Sequence, residues 1–198
     1  KTLSDKRKKT AEQFTKKVKY ELQFLNMPGI EFQVEQERVP LNSNGCDKIQ
    51  FLISVNPGEP AKPIAKIASG GELSRIMLAI KTVLAGRDEI DTLIFDEIDT
   101  GISGRTAWKV AEQLSVLSGA HQVICITHLP QIAAMADVHF VIEKSSTDDM
   151  TITDIHKVSA EESLAELARL LGSDALTEAA LSNAKEMKEQ AGMFKETR

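Results

Sequence analysis

Two adjacent carboxylates follow a short apolar run near the middle of the chain. Asp96 and Glu97 come directly after the run from Leu93 to Phe95, which predicts a buried strand. Ligands of open α/β sheets bind at the carboxyl ends of the strands, where this acidic pair would lie. Asp96 could hold Mg²⁺, and Glu97 could orient a water molecule for attack on a phosphate. The alternative is that the two acids cap the helix that follows.

A pair of glycines precedes a second apolar segment, which predicts a helix from about 72 to 84. Glycines leave the backbone N–H groups unobstructed, and the start of a helix adds unpaired donors and the positive end of its dipole. An anion could therefore bind here. The S-x-x-E spacing also fits a capping box, so a well-capped helix is the alternative. The residues of this motif are Ser69, Gly70, Gly71 and Glu72.

A histidine follows the next apolar run. Residues 123–126 predict a second buried strand, and His128 comes just after it. Its imidazole could contact a terminal phosphate, although a lone histidine more often has a structural role. The other histidines show no metal-ligand spacing, and neither Cys46 nor Cys125 belongs to a C-x-x-C motif. A zinc site is therefore not expected.

The spacing of apolar and turn residues predicts the elements that position these motifs. Strand–helix–strand alternation in the middle of the chain favours an α/β fold with parallel strands. An Asn-Gly turn at 44–45 and a polar loop at 145–150 each predict a hairpin. The predicted helices are 3–26, 72–84, 104–117, 130–135, 161–171 and 174–191, and the predicted strands are 30–34, 49–55, 93–95, 123–126, 138–143 and 151–158.

The composition is that of a globular protein, with an uneven distribution of charge. The 198 residues carry a formal net charge of −5, no apolar run approaches the ~20 residues that span a bilayer, and two cysteines indicate a reducing compartment. Residues 1–20 contain eight basic and two acidic residues, a charge of +6, which leaves −11 for the rest. This asymmetry favours a nucleic-acid or acidic partner for the basic segment, and a solvated helix face is the alternative.

Taken together, the three motifs resemble those of the ATP-binding-cassette ATPases. The glycine motif resembles the signature sequence, residues 93–97 resemble Walker B with its catalytic glutamate, and His128 resembles the switch histidine. The longer strings at 68–75, 95–104 and 127–133 are similar to the RecN family, bacterial SMC-like ATPases of DNA double-strand-break repair and recombination. The sequence departs from the common pattern at three places. Ala68 replaces a large apolar residue, Glu72 replaces a frequent glutamine, and Ile102-Ser103 replaces the Leu-Asp that commonly ends the D-loop.

The resemblance implies a fold and a domain organisation. The fold class is α/β, the C-terminal lobe of an ABC/SMC-type P-loop ATPase head, with a mostly parallel sheet flanked by helices. Residues 1–27 would be the root helix of a coiled coil, and residues 28–198 the head lobe. No two of the eleven glycines are five positions apart, so the Walker A loop is absent from this sequence. In such families Walker A lies in the N-terminal lobe.

The resemblance also implies cofactors, partners and roles. ATP and Mg²⁺ would be bound, with Asp96 holding Mg²⁺, Glu97 positioning the attacking water and His128 sensing the γ-phosphate. The glycine motif at 69–72 would contact a nucleotide held by a second head of a homodimer. The other partners would be the N-terminal head lobe of the same protein and DNA, with no membrane, in the cytoplasm at the nucleoid. The full-length protein would hydrolyse ATP, and this chain alone would be inactive.

Two other interpretations remain open. The chain could be the head lobe of another SMC-like ATPase or the nucleotide-binding domain of a transporter, although the string from Asp96 to Gly104 favours RecN. Asp99 matches the Asp-Glu-x-Asp pattern of SMC-like proteins. The chain could instead be a non-catalytic scaffold that dimerises or clamps DNA. The presence of Asp96, Glu97 and His128 argues against a loss of catalysis.

Overall fold

The computed structural model describes residues 2–56, 58–66, 70–87, 89–147, 150–172 and 177–197. The chain divides into two compact units, each described by itself. The first unit comprises Lys1–Gly101 with Leu117–Cys125, and the second comprises Ile102–Val116 with Ile126–Arg198. Within the described ranges, no helix is both long and apolar enough to cross a membrane.

The first unit begins with a helix that packs on a β-hairpin. Helix α1 (Thr2–Phe24) is followed by β1 (Glu31–Asn42) and β2 (Gly45–Ser54), which pair antiparallel, and the short β3 (Lys62–Pro63) extends this sheet. Phe14 of α1 contacts the rings of Phe32 and Phe51, with centroids 5.8 and 5.5 Å away. The predicted helix and hairpin are confirmed. Both strands are longer than the apolar alternation indicated.

The centre of the first unit contains a helix and a parallel pair of strands. Helix α2 (Gly70–Leu84) precedes β4 (Thr92–Phe95), which pairs in parallel with β5 (Gln122–Cys125). His121, just before β5, contacts the segment just before β4, since its Nδ1 lies 2.6 Å from the carbonyl oxygen of Ile90. The predicted parallel arrangement is confirmed at β4–β5. The other two described sheets are antiparallel, so parallel pairing is restricted to this pair among the described strands.

The second unit is largely helical. It contains most of α3 (Gly104–Leu117), α4 (Pro130–Ala134), the hairpin of β6 (Phe140–Thr147) and β7 (Met150–Lys157), α5 (Ala160–Leu170) and α6 (Glu178–Glu196). Small and apolar residues of α4, α5 and α6 form its core, with Trp108 packed against them. The core residues are Ala133, Ala134, Leu167, Ala168, Ala184 and Met187.

Two predicted boundaries in this unit are wrong. Residues 145–147 and 150 are paired within the β6–β7 ladder, not in a polar loop, because backbone pairing continues where side chains are polar and threonine suits a strand. The predicted start of the last helix at 174 lies outside the described residues. Within them α6 begins at Glu178, and Thr177 caps it by accepting a hydrogen bond from the Ala180 N–H at 3.2 Å. It continues to Glu196, beyond the predicted end at 191.

Candidate functional site

The acidic pair lies at the carboxyl end of β4, as predicted. Leu93 and Phe95 are buried and anchor the strand, while Asp96 and Glu97 are exposed just beyond its end. The Asp96 carboxylate accepts a hydrogen bond from the Glu97 N–H at 2.9 Å. Asp96 is also exposed, so its carboxylate is accessible from solvent.

Glu97 adopts an uncommon backbone conformation. Its φ is +57°, in the left-handed region that side chains with a Cβ rarely occupy. Such a conformation costs about 1–3 kcal/mol and persists only where the surroundings impose it. The Glu97 carbonyl accepts a hydrogen bond from the Thr100 N–H at 3.1 Å, which closes a tight turn over residues 97–100. Backbone strain at a candidate catalytic residue indicates a conformation kept for function.

The glycine pair of α2 packs directly against this turn. A Cβ added to Gly70 would overlap the carboxylate of Glu97. A Cβ added to Gly71 would lie 2.9 Å from the Thr100 carbonyl oxygen and 3.1 Å from that of Glu97. At Gly71 only glycine therefore fits without a shift of the turn, whereas at Gly70 a larger residue would require the Glu97 side chain to move. The structure thus brings Gly70 and Gly71 together with Glu97, an arrangement that their separation in sequence did not specify.

Two further residues of α2 bind the same segment. The Ser74 hydroxyl donates to the Asp96 carbonyl at 2.8 Å, and Arg75 Nη1 donates to the carbonyls of Ile98 at 3.1 Å and Thr100 at 2.8 Å. Arg75 is only 7% exposed. Burial lowers the pKa of Arg75, whereas the charges of Glu72 and Asp99 raise it. Sequence reasoning assigned no role to Ser74 or Arg75.

The buried position of Arg75 had one signal in the sequence. Within α2 the buried residues include Gly71, Ile76, Leu78 and Ala79, so Arg75 is a charged residue inside the apolar stripe of an amphipathic helix. A buried charge is retained where it is paired or hydrogen-bonded. Its Nε is buried without a hydrogen-bond partner among the described residues. An unpaired buried donor costs free energy, so the two hydrogen bonds of Nη1 are made at the expense of this one.

Cys125 ends β5 and is not a candidate nucleophile. Burial, together with the charges of Asp99 and Asp96, raises the pKa of its thiol to about 12. A thiol with this pKa stays protonated at neutral pH, and the thiolate is the reactive and metal-binding form. The described residues also contain no group of three or more His, Cys, Asp or Glu side chains that could hold a metal ion.

The remaining predicted site residues have different outcomes. Ser69 lies outside the described residues, so its capping box with Glu72 stays a prediction. Glu72 is partly buried in the first turn of α2, where its charge acts on Arg75. His128 belongs to the second unit, in the segment between β5 and α4.

A complete capping box does occur at another helix. The Ser159 hydroxyl accepts from the Glu162 N–H at 3.2 Å, and the Glu162 carboxylate accepts from the Ser159 N–H at 2.7 Å at the start of α5. Sequence reasoning applied the S-x-x-E pattern at 69–72 and did not apply it at 159–162. The same signal could have located this helix start.

Sequence comparison relates the chain to DNA repair proteins. No protein-family model matches it. The DNA repair protein RecN of Halalkalibacterium halodurans is 41% identical over 198 residues, which covers 98% of this chain and 35% of RecN. RecN of Treponema pallidum is 48% identical, and the match covers 93% of this chain and 34% of that RecN. RecN of Bacillus subtilis is 46% identical, covering 83% and 28%. The chain spans about a third of the length of these relatives.

Structural comparison relates the fold to SMC heads. An Smc head domain with a coiled coil and joint from Pyrococcus yayanosii has a TM-score of 0.56 at 22% identity, covering 81% of this chain and 29% of that one. A structure from work on the ATP-driven dimerization and DNA stimulated activation of SMC ATPases has a TM-score of 0.50 at 20% identity, covering 87% and 99%. The chain therefore has the α/β fold of an SMC-type head lobe.

Proposed function

This chain is related to the C-terminal part of the RecN proteins, and from that relationship we propose that it forms the C-terminal half of an SMC-type ATPase head that hydrolyses ATP in DNA repair. One observation carries the proposal. The acidic pair at the end of β4 is held against the glycine pair that begins α2, so two of the three motifs of the resemblance meet in one turn. We assign α1 to the root of a coiled coil and residues 28–198 to the head lobe.

The acidic pair suits a magnesium nucleotide. Mg²⁺ is usually bound through one or two carboxylates together with phosphate oxygens and several waters, not by a cage of protein ligands. A single exposed Asp96 carboxylate beside Glu97 fits that requirement. Bound Mg²⁺ would neutralise charge that develops on the transferred phosphate.

Each site residue then has a distinct role toward ATP. Glu97 accepts a hydrogen bond from the attacking water and orients it in line with the γ-phosphate. His128 contacts the γ-phosphate. Backbone N–H groups at the start of α2, with Ser69, Gly70, Gly71 and Glu72 around them, contact a nucleotide held by a second copy of the head.

The exposed face of the parallel strand pair supports the interpretation that this chain is only part of a head. Parallel sheets occur almost only where helices or other elements cover both faces. On β4–β5, Ile94 is 68% exposed and Ile124 is 44% exposed. We infer that the N-terminal head lobe, which would also supply Walker A, covers this face. The repair role further implies a location in the bacterial cytoplasm, at the nucleoid.

The decisive variant is Glu97→Gln in the full-length RecN-type protein. We expect ATP turnover to be nearly abolished, because the amide cannot act as a base, while ATP-dependent engagement of two heads is retained. Glu89→Gln, at another exposed acid before β4, is the matched control and should behave like the wild type. Normal turnover by the Glu97 variant would contradict the assignment.

The isolated chain provides a second test. Without Walker A it has no phosphate-binding loop or lysine, so we expect no ATP hydrolysis above background from the chain alone. Adding the N-terminal Walker A lobe should restore turnover. Robust hydrolysis by the chain alone would show that the site is complete without its partner lobe.

A second candidate function is DNA binding by α1. Lys6, Lys9, Lys16 and Lys17 are exposed along this helix, which fits a row of contacts to a phosphate backbone. This surface would serve either an ATP-driven repair protein or the alternative non-catalytic DNA clamp. The Glu97→Gln variant distinguishes these two functions. A non-catalytic clamp would keep its function in this variant, because that function does not depend on ATP turnover.

The DNA interaction is tested by the salt dependence of duplex binding. Changing these four lysines to glutamine should reduce the slope of log affinity against log salt by about 0.9 for each phosphate that the helix no longer neutralises. A control variant changes four exposed lysines outside α1, namely Lys62, Lys144, Lys157 and Lys185. An unchanged slope in the α1 variant would show that this helix face is only solvated.

A further inference from the structure

We propose that Arg75 is a positioning residue that sets the conformation of the turn over residues 97–100, and so the direction of the Glu97 carboxylate. The inference rests on the proposed function and deepens it, since it concerns the same site. Arg75 does not touch the proposed substrate. It acts through the backbone on both sides of the residue that would orient the attacking water.

The hydrogen bonds of α2 bracket Glu97. Ser74 binds the carbonyl of Asp96, the residue before it, while Arg75 binds the carbonyls of Ile98 and Thr100, beyond it. The three carbonyls belong to alternate residues of one short segment. Two consecutive residues of a single helix therefore fix this segment over its whole length.

This bracket explains the uncommon backbone of Glu97. A left-handed φ of +57° requires support from its surroundings. Arg75 provides that support in a buried place, where its two hydrogen bonds do not compete with water. Without the guanidinium, the Ile98 carbonyl loses its buried partner and the turn can relax toward a common conformation. The Glu97 carboxylate would then point away from its working direction.

Arg75 also links two functions of α2. The helix begins at Gly70 and Gly71, which the proposed function places against the nucleotide of a second head. Arg75 lies about one turn further along the same helix, where it holds the turn of its own head. A shift of α2 on nucleotide binding would therefore be transmitted to Glu97. The binding surface for one nucleotide and the catalytic geometry for the other share one rigid element.

The test uses Arg75→Ala and Arg75→Lys in the full-length RecN-type protein. For the alanine variant we expect kcat to fall by about 100-fold, the effect of a small misplacement of a reacting group, while KM for ATP and ATP-dependent head engagement are kept. Lysine retains one cationic donor and should restore part of the loss. Arg87→Ala, at an exposed arginine just after α2, is the control and should match the wild type.

Several outcomes would overturn the proposal. One is an unchanged kcat in both Arg75 variants, and another is a fall in activity that only follows the loss of folded protein in thermal melting. If the alanine variant does not fold, the lysine variant decides alone, with a lower kcat at constant KM supporting the proposal and a wild-type kcat overturning it. An inactive wild-type protein would instead count against the proposed ATPase function.

Discussion

The β4–β5 pair and the helical core of the second unit differ in how completely they bury their apolar side chains. On the strand pair, Leu93 and Phe95 are buried on one face, while isoleucines on the other face are open to solvent. In the second unit, α4, α5 and α6 bury their apolar residues against one another. Leu167 and Ala184 there are fully inaccessible.

We infer from this difference that the strand pair, unlike the helical core, depends on something outside the chain. A helical core that buries its own apolar residues is complete in itself. A two-stranded parallel sheet with a bare apolar face is not, because parallel sheets are stable where both faces are covered. The residues proposed for chemistry follow the incomplete sheet. Catalysis by this fold would therefore require a partner lobe, whereas folding of the helical core would not.

The largest expected effect is at the helical core. Leu167→Ala should lower the free energy of unfolding of this chain by about 2–5 kcal/mol, because a fully buried leucine leaves a cavity when it is truncated. Chemical denaturation measures the change. Glu161→Ala, at an exposed position of the same helix, is the matched control and should change little. Equal losses of unfolding free energy in the two variants would mean that packing of Leu167 does not stabilise this core.

A smaller effect is expected where α2 meets the turn over residues 97–100. Gly71→Ala should destabilise the chain by about 1–3 kcal/mol, because the added Cβ meets the backbone of Thr100, which cannot move as a flexible side chain would. Gly192→Ala in α6 is the control. Its Cβ would meet nothing within 4 Å, and alanine should stabilise that helix by about 0.5–1 kcal/mol. Denaturation midpoints of both variants check the signs, and a stabilising Gly71→Ala would refute the close approach.

The sequence predicted the order and type of the elements well. Apolar periodicity distinguished α2, with its 3.6-residue repeat, from β4, a short apolar run that ends in acids. It failed at β6 and β7, where polar residues 145–147 looked like a loop. The strands continue there because each backbone group finds a partner across the ladder, and local hydropathy does not register this pairing.

The candidate site was proposed from its residue types, whereas its geometry could not be predicted. The glycine pair and Asp96 with Glu97 stood out because their neighbours form recognisable strand and helix ends. The left-handed φ of Glu97 and the bonds of Arg75 did not, because both arise from interactions between segments far apart in sequence. Local patterns carry propensity, whereas a long-range hydrogen bond requires the folded chain.

The exposed isoleucine face of β4–β5 provides a further test of its need for a partner. Changing Ile94 and Ile124 to threonine should alter the stability of the isolated chain by no more than about 0.5 kcal/mol, since both are exposed there. The same variant should bind the N-terminal head lobe more weakly, as measured by titration calorimetry. Leu93→Thr, on the buried face of the same strand, should instead destabilise the chain by about 1–3 kcal/mol. Comparable losses from both faces would show that the isoleucine face is already covered.

The smallest expected effect is a pH dependence of the helical unit. Burial lowers the pKa of His139, the charge of Lys188 lowers it further, and Glu166 opposes them. The His139 Nδ1 also lies 2.9 Å from the hydroxyl of Ser163. Protonation is therefore easier in the unfolded chain than in the folded one.

This pKa difference fixes the sign of the pH effect. The stability due to neutral His139 is complete above the unfolded pKa of about 6.5, decreases as the pH falls through that value, and levels off below the lowered folded pKa. His139→Gln should flatten this part of the curve of unfolding free energy against pH. His156→Gln, at an exposed histidine of β7, should leave it in place. Because His139 contacts Ser163 of α5 in the same unit, we expect the curve to be the same with and without the N-terminal lobe. A shift on adding that lobe would show that the helical unit also depends on a partner.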